Sequence, residues 1–201
     1  MRMTFMDPAS GGSAVPATDS MLVESFAPGK GLSHAAPMTA TTIPAGHPYV
    51  ACESEPRWYG NSLFEFLVPN DATGGRMTVF RATMPEGFSP PRHIHTREDE
   101  AFLVLEGDAG FDLDGRTHVA GPGTSGFIPR GVPHTFRVLS PVAVMLGVMT
   151  PGTFEELFRH LGVPAAERTL PAPGVVAFDI ERVMAEQARL GTQVVGPPLG
   201  A

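Results

Sequence analysis

Between Tyr49 and Met149 the chain carries short segments in which apolar residues alternate with polar ones or form brief unbroken runs. These segments are rich in aromatic and β-branched residues, which is typical of β-strands. Turn-forming residues separate them, and Asp114-Gly115 predicts a type I′ hairpin turn. The pattern therefore predicts an all-β domain, a closed or nearly closed antiparallel barrel or jelly roll. The predicted strands cover residues 58–68, 76–84, 101–105, 109–112, 116–119, 125–128, 134–139 and 142–149.

Helical spacing replaces the strand pattern after residue 150. One helix is predicted behind Thr153 as its N-cap and ahead of Gly162, and a second between Asp179 and Gly191. Each helix carries an apolar stripe, and we expect both stripes to pack against the outside of the barrel. The stripes consist of Phe154, Leu157, Phe158 and Leu161 in the first helix and of Ile180, Val183, Met184 and Leu190 in the second.

The N-terminal part of the chain has a different character. Residues 1–45 are rich in Ser, Ala, Pro, Thr and Gly and show little periodicity. Such a segment buries too little apolar surface to offset the entropy of ordering it. We therefore predict a flexible or poorly structured extension over residues 1–45, which the fold does not require. A β-barrel follows over 46–150, and a C-terminal helical segment over 151–201 packs on the barrel.

Composition and charge narrow the choice of partners and compartment. The 23 glycines and 21 prolines among 201 residues suit short strands joined by tight turns. A net charge of −7 without a basic stretch argues against nucleic acid or an anionic membrane as a partner. The single cysteine, Cys52, excludes an internal disulfide. The sequence also shows no apolar leader and no apolar run of about 20 residues, so we predict a cytoplasmic protein.

Several metal-binding residue types stand close together in residues 87–107, GFSPPRHIHTREDEAFLVLEG. His93 and His95 are two positions apart, so both imidazoles point to the same face of a strand. The polar residues after them predict a turn that delivers Glu100 to the start of the next strand. Further along the chain, His134 heads another predicted strand after a Pro/Gly turn. We therefore expect four side chains to converge.

These four side chains form a donor set for a metal ion. Imidazole and carboxylate together suit a mid-to-late first-row divalent metal, and Fe, Mn, Co and Ni all remain open. We predict one such ion per chain, with about two positions left for water, oxygen or substrate. The predicted ligands are His93, His95, Glu100 and His134. The other histidines, interpreted as structural or surface residues, are His34, His47, His118 and His160.

Two stretches of the chain resemble the two sequence motifs of the cupin family. Residues 87–107 show Gly, five residues, His-x-His, four residues, Glu, six residues and Gly. Residues 123–134 show Gly, five residues, Pro-x-Gly, two residues and His. The second motif usually ends in Asn, and Val138 stands at that position here. The resemblance, over residues 74–150, implies a cupin-type antiparallel β-barrel, a double-stranded β-helix or jelly roll, with a short C-terminal helical tail.

More narrowly, PPRHIHTREDEAFLVLEG and IPRGVPHTFRV are similar to single-domain bacterial cupins of the quercetin 2,3-dioxygenase-like group. The later TPGTFEELFRHLG and GPPLG resemble the tail of that group. This resemblance implies a metal-dependent, non-haem dioxygenase that cleaves a flavonol-type 3-hydroxy-enone with molecular oxygen as co-substrate. Both oxygen atoms would be incorporated and carbon monoxide released. Glu100 would then be the catalytic residue, a ligand that takes the proton of the substrate hydroxyl.

Strand alternation extends the predicted site into a pocket. Residues two and four positions beyond Glu100 and His134 share their inward faces. The resulting pocket is apolar and aromatic, which suits a small aromatic or enol substrate. The opposite face of strand 101–105 is also apolar and needs cover, for which we expect a homodimer or the N-terminal segment. The pocket residues predicted in this way are Phe102, Val104, Phe136 and Val138.

Two other functions fit the same donor set. The scaffold can host a non-oxidative reaction, such as cyclisation or isomerisation of a polyketide-like enol. It can also be a small-molecule binding protein with a structural metal, because a fold does not determine a function. Oxygen consumption separates a dioxygenase from both alternatives.

Overall fold

The computed structural model describes residues 45–50, 54–177 and 179–200, so the predicted N-terminal extension lies almost wholly outside the described residues. Within these ranges the chain forms twelve strands and two helices. Neither helix has the length and hydropathy of a membrane-spanning segment. In chain order the elements are β1 (Glu55–Tyr59), β2 (Ser62–Val68), β3 (Thr78–Pro85), β4 (Pro91–His95), β5 (Asp99–Glu106), β6 (Ala109–Leu113), β7 (Arg116–Ala120), β8 (Ser125–Ile128), β9 (His134–Val138), β10 (Val142–Thr150), α1 (Glu155–Leu161), β11 (Val163–Pro164), α2 (Ile180–Leu190) and β12 (Thr192–Pro198).

The strands form two sheets whose inner faces pack on each other. One sheet has the order β11-β1-β2-β3-β10-β5-β8 and the other the order β12-β4-β9-β6-β7. All pairings between the described strands are antiparallel. Across the gap, Phe102 of β5 stacks on Phe111 of β6 with ring centroids 4.1 Å apart. The expected antiparallel jelly roll is therefore confirmed.

The hairpin between β6 and β7 has the predicted turn. Asp114 and Gly115 both have positive φ, 51° and 78°, as a type I′ turn requires. The flanking residues Leu113 and Arg116 pair directly. The sequence thus determines this connection locally, without help from the rest of the fold.

Helix α1 contributes to the core between the sheets. Phe158 stacks on Phe64 with centroids 4.1 Å apart and meets Tyr59 edge-on at 5.3 Å. Phe154 and Leu157 are buried beside it. The apolar stripe of α1 therefore lines the interior, whereas the sequence led us to expect packing on the outside of the barrel.

The beginning of α1 also differs from the prediction. Thr153 does not cap the helix, since the N-cap is Phe154 and makes no side-chain cap bond. The Thr153 hydroxyl instead donates a 2.5 Å hydrogen bond to Glu98 Oε1. A hydrogen bond to a carboxylate is stronger than the neutral bond that an N-cap hydroxyl accepts from a backbone N–H, so the tertiary contact replaces the local one.

Helix α2 starts and ends where the sequence predicted. The Asp179 side chain accepts a hydrogen bond from the Arg182 backbone N–H, and Gly191 ends the helix in the left-handed conformation. The prediction that the apolar stripe of α2 is buried was wrong in part, because Ile180 and Met184 are 54% and 39% exposed. The buried face consists of Val183, Gln187 and Leu190.

Strand β12 was not predicted. Its sequence, TQVVGPP, contains glycine and two prolines, which weaken or break most strands. It lies at the edge of the five-stranded sheet and pairs only with β4 among the described strands. Proline is tolerated at an edge because its missing N–H has no ladder partner to lose.

Candidate metal centre

The predicted ligands lie at the place where the two sheets approach each other. Strand β4 carries His93 and His95, and His134 at the start of β9 pairs directly with His93. Glu100 comes from β5 in the other sheet. Gly131, with φ 85°, turns the chain before β9, and its N–H donates to the His95 carbonyl at 2.8 Å. That bond ties the two motif segments together directly beside the site.

The four side chains converge on one small volume. One ring nitrogen from each of the three histidines lies within 4.8 Å of the others. Nε2 of His93 is 3.2 Å from Nε2 of His95. Glu100 Oε2 lies 3.3 Å from His134 Nε2 and 3.6 Å from His95 Nε2. The structure therefore brings together all four residues that the sequence singled out.

The outer nitrogens of the histidines have partners of their own. Nδ1 of His93 is 2.8 Å from the Pro91 carbonyl, and Nδ1 of His134 is 2.9 Å from the Val132 carbonyl. A carbonyl only accepts, so both Nδ1 atoms carry a proton. Nδ1 of His95 lies 3.3 Å from Thr192 Oγ1, which can accept in the same way. When neutral, the rings of His93 and His134 therefore present Nε2 lone pairs to the centre, and His95 does so when Thr192 accepts from its Nδ1–H.

This arrangement leaves acceptors facing one another. A hydrogen bond between His93 Nε2 and His95 Nε2 would need a proton that the neutral rings do not carry. His134 Nε2 is buried and has no aligned hydrogen-bond partner among the described residues. Buried acceptors in contact are costly unless a cation lies between them. A divalent metal with imidazole and carboxylate ligands fits this need, and carbonyl-bonded Nδ1–H groups commonly orient metal-binding histidines.

The titration behaviour of the four groups agrees with a cation site. Burial lowers the pKa of His93 to about 4 and that of His95 to about 3, which keeps both rings neutral. Burial opposes the charged forms of His134 and Glu100 as well. Their contact outweighs it, raising the pKa of His134 and lowering the pKa of Glu100 to about 2. Glu100 is thus held as a carboxylate.

The site opens on a cavity of about 120 Å³. Glu100 is the only carboxylate among the described residues that line it, and most of the remaining wall is apolar. Of the predicted pocket residues, Phe102 and Phe136 lie in this wall. Val104 and Val138 are 0% and 1% exposed and belong to the core. They lie two residues further along their strands, roughly 7 Å deeper.

Val138 also explains how the chain accommodates the departure from the second motif. Its side chain fills the core, and its backbone anchors the turn ahead of β4. The Val138 N–H donates to the Phe88 carbonyl at 3.0 Å, and the Gly87 N–H donates to the Val138 carbonyl at 3.0 Å. Within the described residues, backbone hydrogen bonds thus hold β9 against this turn.

Gly126 determines the position of Phe102 in the cavity wall. A Cβ at residue 126 would lie 2.4 Å from two Phe102 ring atoms, closer than real contacts allow. Gly126 on β8 pairs with Phe102 on β5. The missing side chain therefore leaves room for the Phe102 ring.

Part of the cavity wall escaped the sequence analysis. Helix α1 supplies Phe154, Leu157 and Phe158, and α2 supplies Gln187. Phe154 meets the His95 ring edge-on, with centroids 4.5 Å apart. The sequence predicts the α1 stripe but favours packing outside the barrel. The signal for Gln187 was a polar residue four positions after Val183 and three before Leu190, inside an apolar helix face.

Comparison with known proteins agrees with this geometry. Residues 80–150 match the family model described as Cupin domain. The chain contains a cupin domain. The matched residues include β5 to β10, with Glu100 and His134, and the cupin motif resemblance seen in the sequence is therefore confirmed.

Two curated relatives of this chain bear the same name. Quercetin 2,3-dioxygenase of Bacillus subtilis (strain 168) is 30% identical over 161 residues, covering 78% of this chain and 47% of the relative. Quercetin 2,3-dioxygenase of Aspergillus japonicus is 33% identical over 117 residues, covering 53% of this chain and 33% of the relative. The chain thus spans less than half the length of either.

Solved cupin structures also resemble it. An RmlC-like cupin from Shewanella frigidimarina NCIMB 400 has a TM-score of 0.46 and 19% identity, over 51% of this chain and 88% of that one.

Proposed function

We propose that this cupin is a metal-dependent dioxygenase that acts on an enol or phenol substrate. One observation carries the proposal: three Nε2 lone pairs and one carboxylate converge on the wall of a mostly apolar, aromatic cavity. Such a cavity binds a flat organic molecule, and the donor set places a metal at its side. The shared name of the two curated relatives supports the oxidative reaction.

His93, His95, His134 and Glu100 would hold one divalent transition metal. When bound, the ion supplies stabilisation of the enolate or phenolate anion and redox chemistry with molecular oxygen. The chain itself fixes the ligands through the carbonyl bonds at His93 Nδ1 and His134 Nδ1. The chain thereby orients the Nε2 atoms of these two histidines before a metal ion binds.

Glu100 is the residue we assign to proton transfer. It is the only carboxylate in the described cavity wall, and its side chain retains 22% exposure while those of His95 and His134 retain 3% and 4%. A carboxylate next to the substrate hydroxyl can accept its proton over hydrogen-bond distance. The neighbouring Phe102 and Phe136 are apolar and compete for no proton.

The size of the cavity favours a single ring beside the ligands. Its volume of about 120 Å³ is near that of an engineered cavity of about 150 Å³ that binds benzene. We therefore propose that one enol or phenol ring enters the cavity. A flavonol such as quercetin would have to extend beyond it, so single-ring enols and flavonols both belong in a substrate panel.

Metal analysis combined with oxygen uptake tests the proposal. Purified protein is expected to contain about one divalent transition metal per chain and to consume oxygen with at least one enol of the panel. The His134→Ala variant should lose both metal and oxygen uptake. His118→Ala, at an exposed histidine on β7, is the matched control and should retain both. Parent-like metal content in a folded His134→Ala protein contradicts the proposal.

The same assay separates the two alternative functions. Product formation under argon identifies a non-oxidative enzyme such as a cyclase or isomerase. Tight binding of an enol without any product identifies a metal-containing binding protein. Either result would replace the dioxygenase proposal.

We also propose a homodimer formed through the outer face of β5 and β8. Phe127 of β8 is 64% exposed, and Leu105 of β5 is 39% exposed. Phe127 pairs with Ala101, so these side chains share one face with Leu103. Sedimentation of the parent and of Phe127→Ser tests this, since the substitution should weaken a dimer and leave a monomer unchanged.

A further inference from the structure

Gln187 occupies the middle of the buried face of α2. It is 6% exposed, between Val183 at 6% and Leu190 at 2%. The three residues stand at positions i, i+4 and i+7, which share one helix face. A glutamine at the centre of such a face needs a reason, because a leucine or methionine would fill the same space without a polar group.

The amide of Gln187 lacks a partner in the part of the chain that the structure describes. Its Oε1 atom is buried and has no hydrogen bond. Leaving a buried acceptor unsatisfied is costly. The same side chain lines the cavity together with His95 and Glu100. The Gln187 side chain thus lies in the wall of the cavity in which we propose that the substrate binds.

Contacts around α2 fix the orientation of this helix. Glu186 Oε1 accepts from His160 Nδ1 at 2.6 Å if that nitrogen is protonated, and the Arg189 guanidinium contacts Glu186 and Glu156 at 2.7 Å and 2.6 Å. These contacts link α2 to α1. At the helix end, the Gly191 carbonyl accepts from the Thr96 hydroxyl at 2.6 Å. The helix is therefore held from both sides with Gln187 facing inward.

We propose that Gln187 recognises a hydroxyl or carbonyl group of the ligand whose enol oxygen lies at the histidines. This inference rests on the proposed function, since it assigns one determinant of the substrate. A glutamine amide offers both an acceptor and two donors, so it can pair with either group. The preferred substrate class is a flat, otherwise apolar enol ring with a second polar substituent.

The expected consequence is selectivity for that substituent. A site with a buried hydrogen-bonding group discriminates against an analogue that lacks the matching group, since both partners are then left unpaired. Gln187 does not contact the reacting atoms in this scheme. It is a specificity-determining residue, and its loss should alter binding of one analogue and not of the other.

The test uses Gln187→Leu, which keeps a similar shape and removes the polar atoms. Gln193→Leu makes the same chemical change at an exposed position on β12 and is the matched control. Binding is titrated on the purified metal-containing protein under argon, so that turnover is not required. The probes are two matched pairs: kojic acid with allomaltol, which lacks its second hydroxyl, and quercetin with 3-hydroxyflavone.

In at least one pair, Gln187→Leu should weaken binding of the more hydroxylated probe by roughly tenfold, the equivalent of one lost hydrogen bond. Binding of its deoxygenated partner should change less than about twofold on the same scale. Equal changes for both members of each pair overturn the proposal.

Thermal unfolding of the protein without a probe gives an independent readout. Removing an unsatisfied buried amide should leave Tm unchanged or raise it. A clear fall in Tm for Gln187→Leu, absent from Gln193→Leu, shows that Gln187 has a structural partner and overturns the proposal. If the parent protein binds no probe, the proposed function fails. The Tm of Gln187→Leu then decides alone whether Gln187 has a purely structural role, which a clear fall in Tm would show.

Discussion

Two carboxylates of this protein lie in opposite kinds of surroundings. Glu155 on α1 is 1% exposed and accepts from the Asn70 backbone N–H at 2.8 Å and the Thr78 hydroxyl at 2.5 Å. The Arg159 guanidinium also donates to it. Glu100 Oε2 faces Nε2 of His134 at 3.3 Å and Nε2 of His95 at 3.6 Å, and the buried His134 Nε2 has no aligned hydrogen-bond partner among the described residues. The first cluster is satisfied by the chain alone, and the second is not.

The difference between the surroundings of Glu155 and Glu100 indicates that the first residue serves stability and the second serves function. A carboxylate with hydrogen-bond donors on both oxygens contributes to the folded state and needs nothing else. A group of converging acceptors destabilises the folded chain until a cation or proton enters. The fold therefore tolerates an unsatisfied centre at Glu100 and has a satisfied one at Glu155. Substitution at the two sites should affect different measurements.

The largest effect should be on turnover at Glu100. Glu100→Gln keeps the size of the side chain and a weak oxygen ligand but loses charge and basicity. We expect most of the metal to remain, held by three imidazoles, while turnover of a confirmed substrate falls by about 10²–10⁴-fold. Glu106→Gln, at the exposed end of the same strand, is the control. Near-parent turnover by Glu100→Gln would show that Glu100 is only a ligand.

The next effect should be on folding at Glu155. Glu155→Gln removes the charge that pairs with Arg159, which keeps Glu55 as its other partner, so the free energy of unfolding should fall by about 2 kcal/mol. Urea unfolding measures this, with Glu181→Gln at an exposed position of α2 as control. Metal content per folded molecule should not change. A Glu155→Gln protein that keeps the parent stability but contains less metal would contradict this, because it would show that Glu155 serves the site and not the fold.

The smallest effect should be a pH dependence at Glu186, a surface carboxylate. The Arg189 guanidinium beside it holds the pKa of Glu186 at about 2, below the ordinary value of 4.5. A carboxyl with a lowered pKa in the folded state stabilises it above the ordinary pKa and loses this contribution as pH falls toward 2. Tm of the parent should therefore fall more steeply from pH 5 to pH 2 than Tm of Glu186→Gln. Identical slopes would show that the contact is too screened to matter.

The convergence of the four predicted ligands was predictable from sequence because strand geometry is simple. The two-residue period of a strand places His93 and His95 on one face of β4. The turns that precede β5 and β9 place Glu100 and His134 near the starts of those strands, beside the two histidines. The type I′ hairpin and the ends of α2 were equally local. In each case, the information lies within a few residues of the feature that it determines.

The remaining features depend on tertiary contacts. Nothing local indicates that Phe158 stacks on Phe64 inside the barrel, since an apolar helix stripe fits either side of a sheet. Thr153 fits the N-cap pattern, and nothing local indicates that its hydroxyl donates to Glu98 instead. Gln187 interrupts an apolar face and so escaped a search for apolar periodicity. Strand β12 forms only because the edge beside β4 is free to accept a Pro/Gly-rich segment.

The pairing of β12 with β4 has a consequence for the time at which the site can form. Thr192, opposite His95 in that pairing, follows it by 97 residues. At a synthesis rate of about 5–20 residues per second, the ribosome produces Thr192 roughly 5–20 s after His95. Throughout that interval the two histidines of β4 lack the strand that flanks them and the hydroxyl beside His95 Nδ1. The four predicted ligands therefore reach their final arrangement only late in the synthesis of the chain.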